Sequence, residues 1–420
     1  MTHKCKAPRF IVVLTLSAVV LMSSSNSYAG GYQLNEHGAQ AVSMGGAFVA
    51  RAWDASAIYF NPAGISLLRG INVMAGGTLI LPSTTFTGPY PNNTEWKMNS
   101  LAFFPPNAYV TYNFNNGFSA GVGVFTPEGL GTDWPQNWVG KFIITKVNIQ
   151  SFDINPTIAY TLGGVVSVGV GFDYVLGNVV LDKDNPTQFS DASGNPIQPF
   201  VDMKGNGNGA GFNFGVLLKP YENISLGFSY RNKIDFKIDN GTATYTGADG
   251  LTPLLPSGAV TTSLPFPETW YLGIAYEAAN WSVEADYQYV GWSAYKELSI
   301  AFANPGPEGN PAPIVGDYNN SYILRVGGDY IIDRTWTARA GILYDRTPVP
   351  AAYDLPILPD ADRLGINVGV GVNLTDHLGI DASYMFLPFK QRTITSSAYG
   401  FDGTYNTTAN LIGLDLRYSL

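Results

Sequence analysis

The chain has 420 residues, a formal net charge of −9 and only 13% charged side chains, where soluble domains carry about 25%. The acidic balance excludes a nucleic-acid-binding protein, and a mean hydropathy of +0.04 is too low for a bundle of membrane-spanning helices. Aromatic side chains reach 13%, with 25 tyrosines and 47 glycines, which suits a β-barrel whose outside meets lipid and whose inside meets water.

The chain opens on a leader pattern. Lys4, Lys6 and Arg9 flank the start of an apolar run over residues 10–22, and Ser27-Tyr28-Ala29 forms a small-x-small cleavage site. The run is short of the about 20 residues that a helical span needs. Residues 1–29 are therefore expected to be a signal peptide, and the mature chain to begin near Gly30. Cys5 is lost with that leader, which leaves no thiol and no disulfide.

Residues 30–69 lack any period of two. Ala39, Ala41, Val42, Met44, Ala47, Phe48 and Val49 make the segment too apolar for a solvated tail. It is expected to form one or two short helices inside the barrel, as a plug, because a wide barrel is not filled by its own side chains. The segment ends in Asn61-Pro62-Ala63. Pro62 fixes φ and removes a donor while Asn61 can bond nearby backbone, so a stiff turn is expected there.

From residue 70 to residue 420 the period is two. Trp336, Ala338, Ala340, Ile342 and Tyr344 alternate with Thr337, Arg339, Gly341, Leu343 and Asp345. An apolar face and a polar or glycine face are the lipid-facing and lumen-facing sides of a membrane barrel. Fourteen antiparallel strands are predicted, the second over 100–113, the third over 117–126 and the sixth over 209–219. Connections after even-numbered strands are short, such as Asn115-Asn116, Gly163-Gly164 and Asp333-Arg334. Those after odd-numbered strands are long and rich in Pro, Gly and Asn. That asymmetry is the one a bacterial outer-membrane barrel requires.

Several residues are candidates for function. Gly117, Gly121 and Gly123 weaken the third strand and Pro127 removes a ladder donor, so a kink is expected there. Capture of a hydrophobic ligand needs apolar surface in exposed loops. Phe189, Ile197, Phe200 and Val201 are assigned to the loop after the fifth strand, and Leu251, Leu254 and Leu255 to the loop after the seventh. Inward charges such as Arg231, Glu284, Asp329, Asp345, Arg363 and Asp381 are expected to pair in the lumen. Arg325 and Arg339 are the candidates for holding a ligand carboxylate.

The order and spacing of several motifs resemble the long-chain fatty-acid transporter (FadL-type) family of outer-membrane proteins, which includes aromatic-hydrocarbon porins. The motifs are Gly31-Tyr32-Gln33-Leu34-Asn35-Glu36, Asn61-Pro62-Ala63-Gly64, the run from Gly121 to Leu130, Trp138-Val139-Gly140-Lys141, and Leu358-Pro359-Asp360-Ala361-Asp362-Arg363. The resemblance covers essentially the whole mature chain. It departs at Leu420, where such barrels commonly end in Phe. It implies a fourteen-stranded barrel with an N-terminal hatch and a kinked third strand. It further implies that ligand is captured at the outer surface, moves to a buried site and leaves sideways at the kink. The implied partners are a fatty acid or hydrocarbon, outer-membrane lipid and lipopolysaccharide, with the protein a monomer.

Two other readings are weighed. An outer-membrane lipid hydrolase needs a histidine at the outer leaflet, but His37 falls in the plug and His377 on a periplasmic turn. The Gly-Val-Gly runs lack the context of a phosphate loop, so no cofactor and no metal is expected. An open aqueous porin would differ from a plugged transporter in its conductance.

Overall fold

The computed structural model describes residues 30–420, apart from residues 52, 90, 188, 189, 191, 192 and 249. The expected leader and the expected capture residue Phe189 lie outside the described residues.

Fourteen antiparallel strands form the wall. They are β1 (Ile71–Thr87), β2 (Pro106–Asn113), β3 (Phe118–Phe125 and Gly129–Asp133), β4 (Lys146–Leu162) and β5 (Val166–Asp184). Next come β6 (Phe200–Tyr221), β7 (Ile224–Arg231 and Ile234–Thr246), β8 (Ser257–Phe266 and Thr269–Glu277) and β9 (Trp281–Val290 and Ala301–Asn304). The last five are β10 (Ser321–Ile331), β11 (Trp336–Asp345), β12 (Arg363–Asn373), β13 (Leu378–Pro388) and β14 (Gly403–Ser419). Each strand pairs with the next, and β14 returns to pair with β1 from Asn72↔Ser419 to Thr87↔Thr404, so the sheet closes. Closure leaves no edge with unpaired backbone, which lipid would not tolerate.

The side chains are arranged inside out. On β10, Leu324 and Val326 face outward and are exposed, while Ile323 and Arg325 face inward and are buried. β12 repeats this with Leu364, Ile366 and Val368 exposed and Asn367 buried. Aromatic side chains gather near the short-turn rim, where Tyr276 meets Trp281 at 5.5 Å and Tyr112 meets Phe114 at 4.8 Å. Such girdles mark the membrane–water boundary.

Two strand boundaries differ from the sequence reading. β2 starts at Pro106, not at residue 100, because Pro105 and Pro106 supply no ladder donor. β6 starts at Phe200, not at residue 209. Its inward positions there include Gly205, Gly207 and Gly209, over which Ile238, Phe236 and Ile234 of β7 lie. Glycines on that face hide the apolar alternation from a sequence pattern.

Residues 30–69 sit within the ring of strands. They form α1 (Ala39–Ser43), α2 (Ala57–Phe60) and a 3-10 turn at Pro62–Leu67. Ala41, Val42, Phe48, Ile58 and Phe60 are buried. Helices this short leave most backbone donors unsatisfied, and the barrel wall supplies the acceptors. Asp286 takes the N–H groups of Phe48 and Val49 at 2.9 and 3.2 Å, Glu284 takes that of Ala50 at 2.6 Å, and Asp415 takes that of Ala39.

Candidate functional site

The third strand is broken, and the break defines the site. β3 pairs with β4 through Phe125↔Asp153, then again from Gly129↔Gln150. Between those points Thr126, Pro127 and Glu128 face only Ser151 and Phe152. This is a one-residue bulge, which reverses the side-chain parity of the strand. Ser151 Oγ holds the bulge by donating to the Glu128 carbonyl at 2.6 Å.

On the other side the ladder is lost. β2 pairs with β3 up to Ala108↔Val124. Beyond that, Asn99 N donates to the Asp133 carbonyl at 2.8 Å near the outer end. Between these points the wall has a window, flanked by Phe103, Phe104 and Pro105 on one side and by residues 126–131 on the other. The N-terminal segment covers the backbone groups so freed. Leu34 N donates to the Pro127 carbonyl at 3.0 Å, Gly129 N donates to the Tyr32 carbonyl at 2.9 Å, and Gln33 bridges Glu128. Tyr32–Leu34 thus stands in for the missing neighbour strand.

The expected role of the glycines is corrected here. Gly121 and Gly123 lie in unbroken ladder, paired with Thr111 and Tyr109 on one side and Thr157 and Asn155 on the other. A Cβ at either would fall 3.0 Å from the Ile58 side chain of the N-terminal segment. They make room for that segment, and Gly117 belongs to the preceding turn at φ +90°. Only Pro127 of the four stands at the break.

Behind the window lies a cavity of about 420 Å³. A second, almost wholly apolar cavity of about 80 Å³ lies further into the lumen. Leu130, Ile149 and Leu358 line both, so the two adjoin. The first also meets Glu36, Asp360 and Arg363. Phe103 reaches across the window: a Cβ at Gly131 would fall 2.0 Å from its ring.

Asn61-Pro62-Ala63 is both turn and anchor. Asn61 is fully buried; its Nδ2 donates to the carbonyls of Val49 at 2.9 Å and Val216 at 3.1 Å, and its Oδ1 accepts from Ala63 N at 3.2 Å. Gly169 and Gly215 admit the motif, since a Cβ there would fall 2.4 Å from the Pro62 carbonyl carbon and 2.0 Å from Asn61 Oδ1.

The inward charges pair. Arg231 meets Asp153 at 3.1 Å and also Asp173; Arg363 meets Asp345 at 2.7 Å. Arg339 meets Asp381 at 2.7 Å, and Arg417 shares that carboxylate. Arg339 is therefore not the free cation expected. Arg325 is buried and donates to Asn35 Oδ1 at 2.8 Å, while its Nε and Nη1 have no hydrogen-bond partner. Sequence reasoning missed Arg51, which joins Glu284 at 3.1 Å and Asp329 at 2.8 Å. The available signal was a lone arginine in an apolar segment, because a buried cation must find carboxylates.

The loop residues divide. Leu254 is exposed and Leu251 half-buried, whereas Leu255 and Ile197 are buried. Phe200 and Val201 belong to β6 rather than to the loop.

A closed outer-membrane barrel with an occupied lumen and a broken wall strand is a channel for molecules that prefer lipid to water. The chain belongs to the family described as outer membrane protein transport protein (OMPP1/FadL/TodX), whose sequence profile matches residues 20–420. It is 26% identical to the long-chain fatty acid transport protein of Escherichia coli O6:H1, over 96% of this chain and 97% of that one. It is 24% identical to outer membrane protein P1 of Haemophilus influenzae, over 96% and 98%. The fold is shared with a FadL homologue of Pseudomonas aeruginosa (TM-score 0.79, 20% identity, covering 93% of this chain and 100% of that one). It is shared too with the toluene transporter TodX of P. putida (TM-score 0.74, 18% identity, covering 92% and 99%). The protein is a Gram-negative outer-membrane transporter of hydrophobic substrates.

Proposed function

We propose that this protein takes up long-chain fatty acids or similar amphipathic molecules and releases them sideways into the outer membrane. The window beside Pro127, open to the larger cavity, carries the reading. Burying apolar surface is worth about 25 cal/mol per Å², so release into lipid is far easier than release into the periplasm. Exposed Leu254 and half-buried Leu251 offer the first apolar contact outside. The adjoining cavities then lead to the window, and the N-terminal segment acts as a plug against free flow of water. We read the protein as a monomeric channel, not an enzyme, ringed by lipid and lipopolysaccharide.

Two observations support an acidic ligand. Arg325 holds two N–H groups without partners, and the full-length relatives named above include a long-chain fatty acid transport protein. One observation favours a neutral hydrocarbon instead: apart from Lys204, the described residues that line the smaller cavity are uncharged and mostly apolar. Uptake of labelled oleate and of labelled toluene is to be measured in a host lacking its own transporter. Oleate uptake that falls with Arg325→Gln supports the fatty-acid reading. Toluene uptake alone selects the hydrocarbon, and ion conductance without either would make the protein a porin.

A further inference from the structure

The nitrogen of Gly30 is buried beside carboxylates. It lies 3.4 Å from Asp345 Oδ1, and the next amide, Gly31 N, donates to Asp360 Oδ2 at 3.1 Å. Both carboxyl groups are buried. Space requires both glycines. A Cβ at position 30 would fall 2.2 Å from Arg363 Nη2, and one at position 31 would fall 2.4 Å from the Trp292 ring. The backbone at both is left-handed, with φ of +41° and +64°.

Carboxyl groups crowd this corner, and Arg325, Arg346, Arg363, Lys390 and Arg392 act on them. Asp345 is shared with Arg363 at 2.7 Å. Asp360 is held by two neutral donors, the Gly31 N–H and the Thr347 hydroxyl. Glu36 adds a third carboxyl beside Arg363. Asp362 accepts from the Tyr344 hydroxyl at 3.0 Å, and Arg392 is engaged with Asp354 at 3.2 Å. Burial pushes the Asp360 carboxyl up to about 8, against the opposing pull of the Arg363 charge.

We infer that cleavage after Ala29 places a new cation here, so that the α-ammonium of Gly30 forms an internal ion pair with Asp345, beside Asp360. This rests on the leader reading of the sequence and is independent of the ligand. Hydrolysis of the Ala29–Gly30 peptide bond by a leader peptidase consumes one water. It leaves a carboxylate on the leader and an amine on Gly30, which takes up a proton. One amide donor becomes three charged ones, directed at acceptors already in place.

The sign of the pH dependence follows. An exposed α-amino group titrates at about 7.7–8.0. Facing Asp345, Asp360 and Glu36, with Arg363 opposed and Arg325 acting on Glu36, the docked group holds its proton more tightly. The pair with Asp345 is in place below about pH 8 and is lost as the pH rises through the raised folded value.

The test uses protein purified from outer membranes. N-terminal sequencing is expected to give Gly30. Any other first residue overturns the cleavage reading and this inference together, and leaves the transport reading standing. Labelled acetic anhydride is then applied across pH 7–10 to folded and to denatured protein, and acetylation of the N-terminal peptide is read by mass spectrometry. The folded chain is expected to react at least about tenfold more slowly, with its midpoint raised by about one pH unit. Asp345→Asn, or an alanine inserted between Ala29 and Gly30, is expected to bring the midpoint back even where burial persists. A folded terminus that reacts as fast as the denatured one, or a midpoint that Asp345→Asn and Asp360→Asn both leave in place, overturns the ion pair.

Discussion

Two interruptions of the wall, both beside a proline, differ in outcome, and one of them is a window. At β3 the residues Thr126, Pro127 and Glu128 oppose two residues of β4 and no ladder on the β2 side. At β7 and β8 the strands are interrupted together, at Asn232-Lys233 and Pro267-Glu268, and pairing resumes at once from Ile234↔Phe266 to Arg231↔Thr269. Two residues out of line on each of two neighbours bend the sheet and leave it closed. One extra residue on a single strand, beside a neighbour halted by Pro105-Pro106, opens it. Proline occurs at both places, so it does not decide the outcome. What separates them is the neighbour: β2 gives β3 no ladder beyond Ala108↔Val124, whereas β7 and β8 resume pairing on both sides of their bend.

The largest effect is expected where the N-terminal segment is released. Arg51→Ala leaves Glu284 and Asp329 buried without their cation, a change that costs about 3–5 kcal/mol in comparable sites. The segment should undock and uncover both lumen and window. Planar-bilayer conductance should rise from near zero to that of an open barrel; an unchanged trace would mean that the segment does not close the lumen.

Next in size is deletion of Pro127. It leaves Thr126 and Glu128 opposite Ser151 and Phe152, restores the register of β3 with β4 and returns the strand to one parity. Uptake should fall by about tenfold or more, as expected when backbone pairing replaces the opening, while heat-modifiable migration shows the barrel intact. Full uptake by a variant with a closed wall would end the lateral route.

Much of this was readable in advance, and the misses share a cause. The period of two and the alternation of short and long connections gave the strand number and the lumen face, because lipid and water impose them residue by residue. The expected kink ran from Gly117 to Pro127, whereas pairing is interrupted only at Thr126–Glu128. Gly121 and Gly123 were taken as weak points in a strand, yet they are the floor on which Ile58 rests. A glycine does not announce what lies against it. Arg325 and Arg339 looked alike in sequence; only tertiary pairing separates the arginine held by Asp381 from the one with two idle donors. The residues that cover the window, Tyr32 to Leu34, were quoted as a motif without a task, since backbone pairing leaves no mark on side-chain pattern.

A smaller effect should follow from Phe103→Ala. Its ring spans the window against Gly131, and removing it widens the opening without touching a ladder. Uptake of bulky substrates should rise by a few-fold, below the about 10–200-fold that one apolar contact can govern in a tight pocket. Equal uptake of slim and bulky substrates before and after would show that the window is not the narrowest point. Smaller still is the response to acid. Burial pushes His37 down to about 3, and its ring lies 3.5 Å from that of Tyr59. The docked form thus binds fewer protons than the undocked form, whose histidine titrates near the ordinary value of about 6.5. Docking should weaken progressively as the pH falls from about 6.5 towards 3, seen as faster hydrogen exchange over residues 30–50. Exchange that stays constant through that range would show that His37 does not report docking.

The smallest effect is expected at Pro267, and it is the sharpest check on the comparison. If proline by itself made windows, Pro267→Ala would change uptake as much as loss of Pro127. The register argues otherwise. Ile234↔Phe266 and Arg231↔Thr269 flank the bend on both strands, with two residues between them on each side. Alanine in place of Pro267 restores a backbone donor but adds and removes no residue, so pairing on both sides of the bend remains and the wall remains closed. Tyr230 still donates to Glu268 at 3.2 Å, and Gly291 N still donates to the Glu268 carbonyl at 2.8 Å, so the bend keeps its other ties. Uptake should stay within about twofold of the parent, the scatter of a surface change worth about 0.5 kcal/mol. A loss comparable to that of the Pro127 deletion would mean that the bend at β7 and β8 is itself part of the path, and that pairing on both sides of a bend does not keep a wall shut.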